Sequence, residues 1–390
     1  MVFYMEFPVI RPRNTMSIHA IGSCQLSFII NYSIIAGKNP SISATALGEL
    51  RGIMARIWFS PGDLADHLHE IVGYKAGIAS SIEQMCDLLS GTAYADDLYR
   101  SESNGLALRS EDYEDLYYQL LYKVGVTDTA RPGLFTQSEF FKRVMKEKGL
   151  DYLTDIQDIY SKHYRLGVEQ AVKSGQSSID PKPMLAEVMM KYGTTGAHDL
   201  IDLMKIYNTH FQNSPHTSGR WEDWKDIVNL NDLFEKHQPV VSHGTFLDQR
   251  FINYLSNNAA RLGEIHWRKF EELIGECFSR SGYEVELGPG TNDDGIDVRV
   301  WNDSAQVHPE FIIQCKRYKS KIDKVTVKGL YADVLEAQAT TGLLVTTSEF
   351  SPGARTTISA RSYPIKEVNG EKVSEWLQAL RTPGSGIIRV

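Results

Sequence analysis

Two short stretches decide the fold of this chain: Gly295-Ile296-Asp297-Val298-Arg299-Val300-Trp301 and Phe311-Ile312-Ile313-Gln314-Cys315-Lys316-Arg317-Tyr318. Successive side chains of a β-strand point to opposite faces. In the first stretch Ile296, Val298 and Val300 share one side, so Asp297 is expected on the other. In the second, Gln314 and Lys316 are two apart and share a face, with Ile313 and Cys315 opposite. Neighbouring strands are thus predicted to present a carboxylate, an amide oxygen and an ammonium together.

Working outward, Ile265, Phe270, Leu273, Ile274, Cys277 and Phe278 form the apolar stripe of a preceding helix that Gly282 closes. A strand is expected at Tyr283 to Leu287. Beyond the second stretch, Val327, Leu330, Tyr331, Val334 and Leu335 mark a helix that leads to an apolar strand, Leu343 to Thr347. That connection is long enough for a βαβ crossover. A helix after Ser351-Pro352, a strand from Pro364 to Val368 and a helix bearing Val373, Trp376, Leu377 and Leu380 complete the pattern. Residues 264–380 are therefore expected to form an α/β domain, a mixed sheet flanked by helices, followed by a tail at 381–390.

A chain of 390 residues exceeds one compact core and suggests two or three domains. Residues 60–212 read as mostly α-helical. Ser60-Pro61-Gly62-Asp63 precedes Leu64, Leu68, Ile71 and Val72 at helical spacing, with Pro61 expected at the first helical position. Thr136 and Glu139 fit a capping box ahead of Phe140, Phe141, Val144 and Met145, and Ile156, Ile159, Tyr160 and Tyr164 continue the period. Breakers fall at Arg131-Pro132-Gly133, Asp180-Pro181-Lys182-Pro183 and Asn213-Ser214-Pro215. The overall expectation is an α+β multi-domain chain: a mostly helical region at 1–215 for recognition, sensing or oligomerisation, a connecting segment at 216–263, then the α/β domain. Asp63, His67 and His69 make no metal site, since only two of them share a helix face.

The net charge of −8 does not exclude a nucleic-acid partner, because phosphate affinity depends on where cations sit. Lys316, Arg317, Lys319, Lys321, Lys324 and Lys328 crowd one window opposed only by Asp323. Cys24, Cys86, Cys277 and Cys315 are widely separated, which argues against a zinc site or a disulfide framework and for a reducing compartment. The apolar stretch Ile18 to Ala36 is interrupted by Ser, Gln and Asn and reads as buried structure, so no membrane span is expected and the cytoplasm is the expected location.

Hydrolysing a phosphodiester needs an activated water, a stabilised pentavalent phosphate and a neutralised leaving oxygen, and a hard divalent cation on oxygen ligands serves all three. Asp297 and Gln314 supply such oxygens; Lys316 can position or help deprotonate the water and offset negative charge. The order Gly295-Ile296-Asp297-Val298, an apolar strand, then Gln314-Cys315-Lys316-Arg317-Tyr318 resembles the Mrr-like endonucleases of the PD-(D/E)xK superfamily. The resemblance spans roughly Ile265 to Leu380 and does not reach the N-terminal two thirds.

That resemblance implies Asp297 as main metal ligand, Gln314 as the second core position, Lys316 as the catalytic lysine and Glu271 as a helix-borne acid that also binds metal. The Cys315 backbone carbonyl is the further expected ligand, with Mg²⁺ as cofactor and Mn²⁺ as substitute. Ile274 and Phe278 lie at i+3 and i+7 from Glu271, which places it inward, whereas Glu272 shares the face of Glu276 and reads as solvated. Asp293 and Asp294 stay outside the core site as turn residues, Asp294 being the better supporting acid. Gln314 lowers the negative charge and predicts weaker Mg²⁺ binding than two carboxylates would give. Arg317, Lys319, Lys321, Lys324 and Lys328 are expected to hold the backbone of double-stranded DNA. The function implied is an endodeoxyribonuclease of restriction or antiviral defence, acting as a dimer or larger homo-oligomer. The alternatives are a repair or recombination nuclease of the junction-resolvase type, and a catalytically inert DNA-binding protein.

Overall fold

The computed structural model describes residues 56–130, 134–176, 178–235, 241–290, 295–303, 305–317 and 320–381. Expectations for Ile18 to Ala36, Cys24, Arg131-Pro132-Gly133, Asp293, Asp294, Tyr318, Lys319 and the tail from 382 lie outside these residues. The chain divides into two compact units: one includes Ala107–Tyr113 and Arg131–Gly219, the other Phe59–Leu106, Glu114–Ala130 and Arg220–Val390.

The first unit is helical. Leu134–Lys148, Leu150–Ser174 and Lys182–Asn213 pack around Phe140, Val144, Ile156, Val188, Leu200 and Leu203. The helix at Leu134 starts before Thr136, so Thr136 lies within it. The buried Asp199 accepts from Tyr152 Oη at 2.8 Å and pairs with Lys148, which meets the requirement that an interior carboxylate be partnered.

In the second unit lies the expected mixed sheet. Its elements are α1 (Trp267–Arg280), β1 (Glu284–Leu287), β2 (Val298–Trp301), β3 (Phe311–Lys316), α2 (Lys324–Glu336), β4 (Thr341–Thr346), α3 (Pro352–Arg361), β5 (Ile365–Val368) and α4 (Gly370–Arg381). Strand order is β1-β2-β3-β4-β5, antiparallel across the first two pairings and parallel across the last two. β3 and β4 are apolar on consecutive positions because helices cover both their faces. The edge strands carry Glu284 and Glu286, and Lys366 and Glu367, charges that discourage further pairing. Ile312, Leu330, Val334, Leu344 and Ile365 form the core under α2, while Phe278 of α1 meets Phe311 and Trp376 at 5.8 Å.

Several local expectations need correction. The helix after Ser60 begins at Asp63: Gly62 holds φ +84°, and Asp63 accepts from Ser60 N at 3.3 Å, so Pro61 belongs to the turn before it. Ile296 lies ahead of β2 and packs in the α2-side core, so strict alternation does not extend back to it. Leu335 is exposed rather than part of the α2 stripe.

The largest correction concerns α1. Glu272 and Glu276 are buried, not solvated, because the helix is enclosed on its far side as well. Glu276 Oε2 accepts from the backbone of Thr245 (2.9 Å), Phe246 (2.7 Å) and Leu247 (3.3 Å), and Oε1 from Arg280 Nε at 2.6 Å. Glu272 takes the Lys269 ammonium at 2.8 Å. Residues 216–263, read from sequence as a connector, supply this covering and include the helix Gln249–Asn257. Arg250 on that helix is fully buried against Asp248 (2.8 Å), Asp226 (3.1 Å) and the Gly77 carbonyl (3.3 Å). From α4, Arg381 reaches the carbonyls of Gly125 (3.1 Å) and Thr127 (2.8 Å). Replacing Glu276 by Ala removes the acceptor of three backbone donors and of Arg280 Nε. Urea unfolding of this variant is expected to show a loss of about 3–5 kcal/mol, the range for breaking a buried pair; a loss below about 1 kcal/mol would contradict the strap.

Candidate active site

β2 and β3 are held in register by Val298 opposite Ile313. One residue before β2, the Asp297 N–H donates to the Ile313 carbonyl (3.0 Å) and its own carbonyl accepts from Gly288 N (2.8 Å). The backbone of Asp297 is therefore fixed from both sides. Its carboxylate accepts from Cys315 N–H at 2.6 Å, taking the place of a ladder partner where β2 has not yet begun. At 8 % exposure this carboxylate is nearly withdrawn from water.

Gln314, also 8 % exposed, donates from Nε2 to the Gly295 carbonyl at 2.9 Å. This bond sets the orientation of the amide, and Oε1 is left buried with no hydrogen-bond partner. An orphaned buried acceptor is costly and calls for a functional account. Gly295 makes the arrangement possible: it holds φ +84°, and a Cβ there would sit 2.9 Å from Gln314 Nε2.

Glu271 comes from α1 and meets Asp297 carboxyl to carboxyl. Burial, and then the Asp297 charge, push the Glu271 carboxyl from 4.5 up to about 8, although Arg268 pulls the other way with Nη1 3.0 Å from Oε2. Burial likewise raises the Cys315 thiol well above its ordinary value, reinforced by both carboxylates, so it stays protonated. Lys316 is half-buried at the end of β3 on the face of Gln314. Its carbonyl is tied to β4 by Thr346 Oγ1 at 2.7 Å and Thr347 N at 3.3 Å.

The fold thus gathers Glu271, Asp297, Gln314, Cys315 and Lys316 at one place. The basic window divides. Arg317 turns inward and donates to the Gly263 carbonyl at 2.6 Å, while Lys321, Lys324 and Lys328 are exposed. Arg268 was not anticipated from the sequence, although a cation one helical turn before a buried acid is a readable signal. Among the described residues no three His, Cys, Asp or Glu side chains come together as a metal cluster; this set has two carboxylates, and its third oxygen is an amide. Such hard, partly neutral oxygen donors fit a magnesium-like ion better than zinc.

A family model described as "Restriction endonuclease", the Mrr-type catalytic domain, matches residues 262–377. "Uncharacterized protein y4cE" of Sinorhizobium fredii is 27 % identical over 146 residues, which cover 36 % of this chain and 37 % of that protein. The chain thus aligns with little more than a third of that relative's length. The solved structure "MspJI Restriction Endonuclease in Complex with 27-mer Oligonucleotide" superposes with a TM-score of 0.25 at 16 % identity, over 46 % of this chain and 43 % of that one, too loosely to carry an argument. No helix among the described residues is long and apolar enough to cross a membrane.

Because the folded protein holds the Glu271 proton more tightly than the unfolded chain does, ionising it costs stability as pH rises from about 4.5 to about 8. In EDTA, Glu271→Gln is therefore expected to melt above the wild type at pH 8.5, with the gap closing by pH 5. A gap independent of pH would show that the strain lies elsewhere.

Proposed function

With residues 262–377 forming an Mrr-like restriction-endonuclease domain, we propose that this protein is a divalent-metal-dependent DNA endonuclease. The observation that carries the reading is the buried, unpartnered Gln314 Oε1 beside two touching carboxylates, Glu271 and Asp297. Those three oxygens, with the Cys315 carbonyl, would hold Mg²⁺, and Mn²⁺ could take its place. The ion would supply Lewis acidity at the scissile phosphate and lower the pKa of the attacking water.

The chain's own groups have separable tasks. Asp297 is locked by Cys315 N–H on its carboxylate and by two backbone bonds, which hold it beside Glu271. Lys316, on the face of Gln314, would position the attacking water and offset the negative charge that builds up on the phosphate. Lys321, Lys324 and Lys328 leave the same end of β3 exposed to solvent and are suited to the DNA backbone. Arg317, bound to Gly263, acts there as a brace. The description of the matching family favours a role in restriction or defence, with the N-terminal helical region, expected up to about 215, as recognition or regulatory module. A double-strand break calls for two sites and hence for a dimer or larger assembly.

Supercoiled plasmid, methylated and unmethylated, is expected to be nicked or linearised in Mg²⁺ or Mn²⁺ and left intact in EDTA. Asp297→Ala and Lys316→Ala are each expected to abolish cutting while DNA affinity persists. Equal cutting by the Asp297 variant would remove this site from the chemistry. For binding, replacing both Lys324 and Lys328 by Gln is expected to flatten the salt dependence, lowering the slope of log K against log salt by roughly 2 if each meets one phosphate. An unchanged slope places the DNA elsewhere.

A further inference from the structure

The first turn of α1 holds two cations, Arg268 and Lys269, at the end of a helix where the backbone dipole disfavours positive charge. Lys269 has a local explanation, since it is buried and bound to Glu272 at 2.8 Å. Arg268 does something different. Its Nη1 donates both to Glu271 Oε2 at 3.0 Å and to the Gly288 carbonyl at 2.8 Å. The N–H of the same Gly288 donates to the Asp297 carbonyl at 2.8 Å. One guanidinium therefore links the helix that carries Glu271 to the segment that carries Asp297. It is itself seated by its backbone N–H on His266 Nδ1 at 3.2 Å, and the His266 ring packs 5.1 Å from that of Trp267.

We propose that Arg268 is a positioning residue that assembles the two carboxylates before a cation arrives, an inference that rests on the divalent-metal reading of this site. Two carboxylates in one recess repel, and the Arg268 guanidinium spans from Glu271 on α1 to the Gly288 carbonyl on the β1–β2 connection. A guanidinium satisfies both needs at once: it neutralises part of the charge, and the two N–H bonds of Nη1, fixed in direction by the planar group, hold the Glu271 side chain against Gly288. A lysine keeps the charge, but its rotatable ammonium does not fix the direction of either bond.

Mn²⁺ binding read by electron paramagnetic resonance, with melting temperature in EDTA recorded alongside, tests this on the full chain. Arg268→Ala is expected to weaken Mn²⁺ about 10- to 100-fold, the usual effect of removing a group that orients a metal ligand, with melting close to wild type. Arg268→Lys is expected to recover part of the affinity. Wild-type affinity in Arg268→Ala overturns the inference, as does an equal loss in both variants accompanied by equally lowered melting. Should the Ala variant not fold, the Lys variant decides: intermediate affinity at native melting supports the role, and wild-type affinity contradicts it. A wild type with no Mn²⁺ signal that Asp297→Ala removes would bring down the metal reading and this inference together, whereas unaltered Arg268 variants beside a binding wild type bring down the inference alone.

Discussion

Glu271 and Asp297 share one water-poor recess, and neither carboxylate can ionise fully there without raising the cost for the other. Proteins place like charges together at such expense where a counter-charge is meant to join them. Everything around the pair enforces the approach. Gly295 turns the chain so that β2 starts late, Cys315 N–H takes the carboxylate in place of a ladder carbonyl, and α1 is enclosed tightly enough that Glu271 cannot swing out to water.

The enclosure of α1 is what joins the five-stranded sheet and its helices to the rest of their unit. Glu276 is held by the strap at 245–247, and His266 N–H reaches the Leu233 carbonyl at 2.9 Å. The family match begins at residue 262, yet the helix bearing Glu271 is packed by chain that precedes it. Arg250 and Arg381 extend the same body to Gly77 and to the 125–127 turn. A displacement of these preceding segments would press directly on the element that carries one of the two acids.

The strands, the crossover helix and the shared face of Gln314 and Lys316 were legible because they rest on short-range periodicity. β3 and β4 announce themselves by runs of Ile, Leu and Val, and alternation alone places Gln314 and Lys316 on one face. What failed depends on distant chain. A helical wheel assigns α1 one wet face, but Glu272 and Glu276 are buried on it, Glu276 under the backbone of 245–247. Sequence could not pair Arg317 Nη1 with the Gly263 carbonyl, 54 residues earlier. Nor could sequence join Asn257 to Tyr122, a contact across 135 residues at 2.6 Å. Ile296 was misplaced for a local reason, the positive φ of Gly295, which Asp and Asn before a glycine can suggest but not locate.

The central claim is that the two carboxylates and the orphaned amide oxygen form a cation site. An anomalous difference map from a Mn²⁺-soaked crystal tests it most directly. The account predicts a peak bounded by Glu271, Asp297, Gln314 Oε1 and the Cys315 carbonyl, at roughly 2.1–2.3 Å from the oxygens. A peak elsewhere, or a Gln314 amide turned to present its nitrogen to an empty recess, would contradict it.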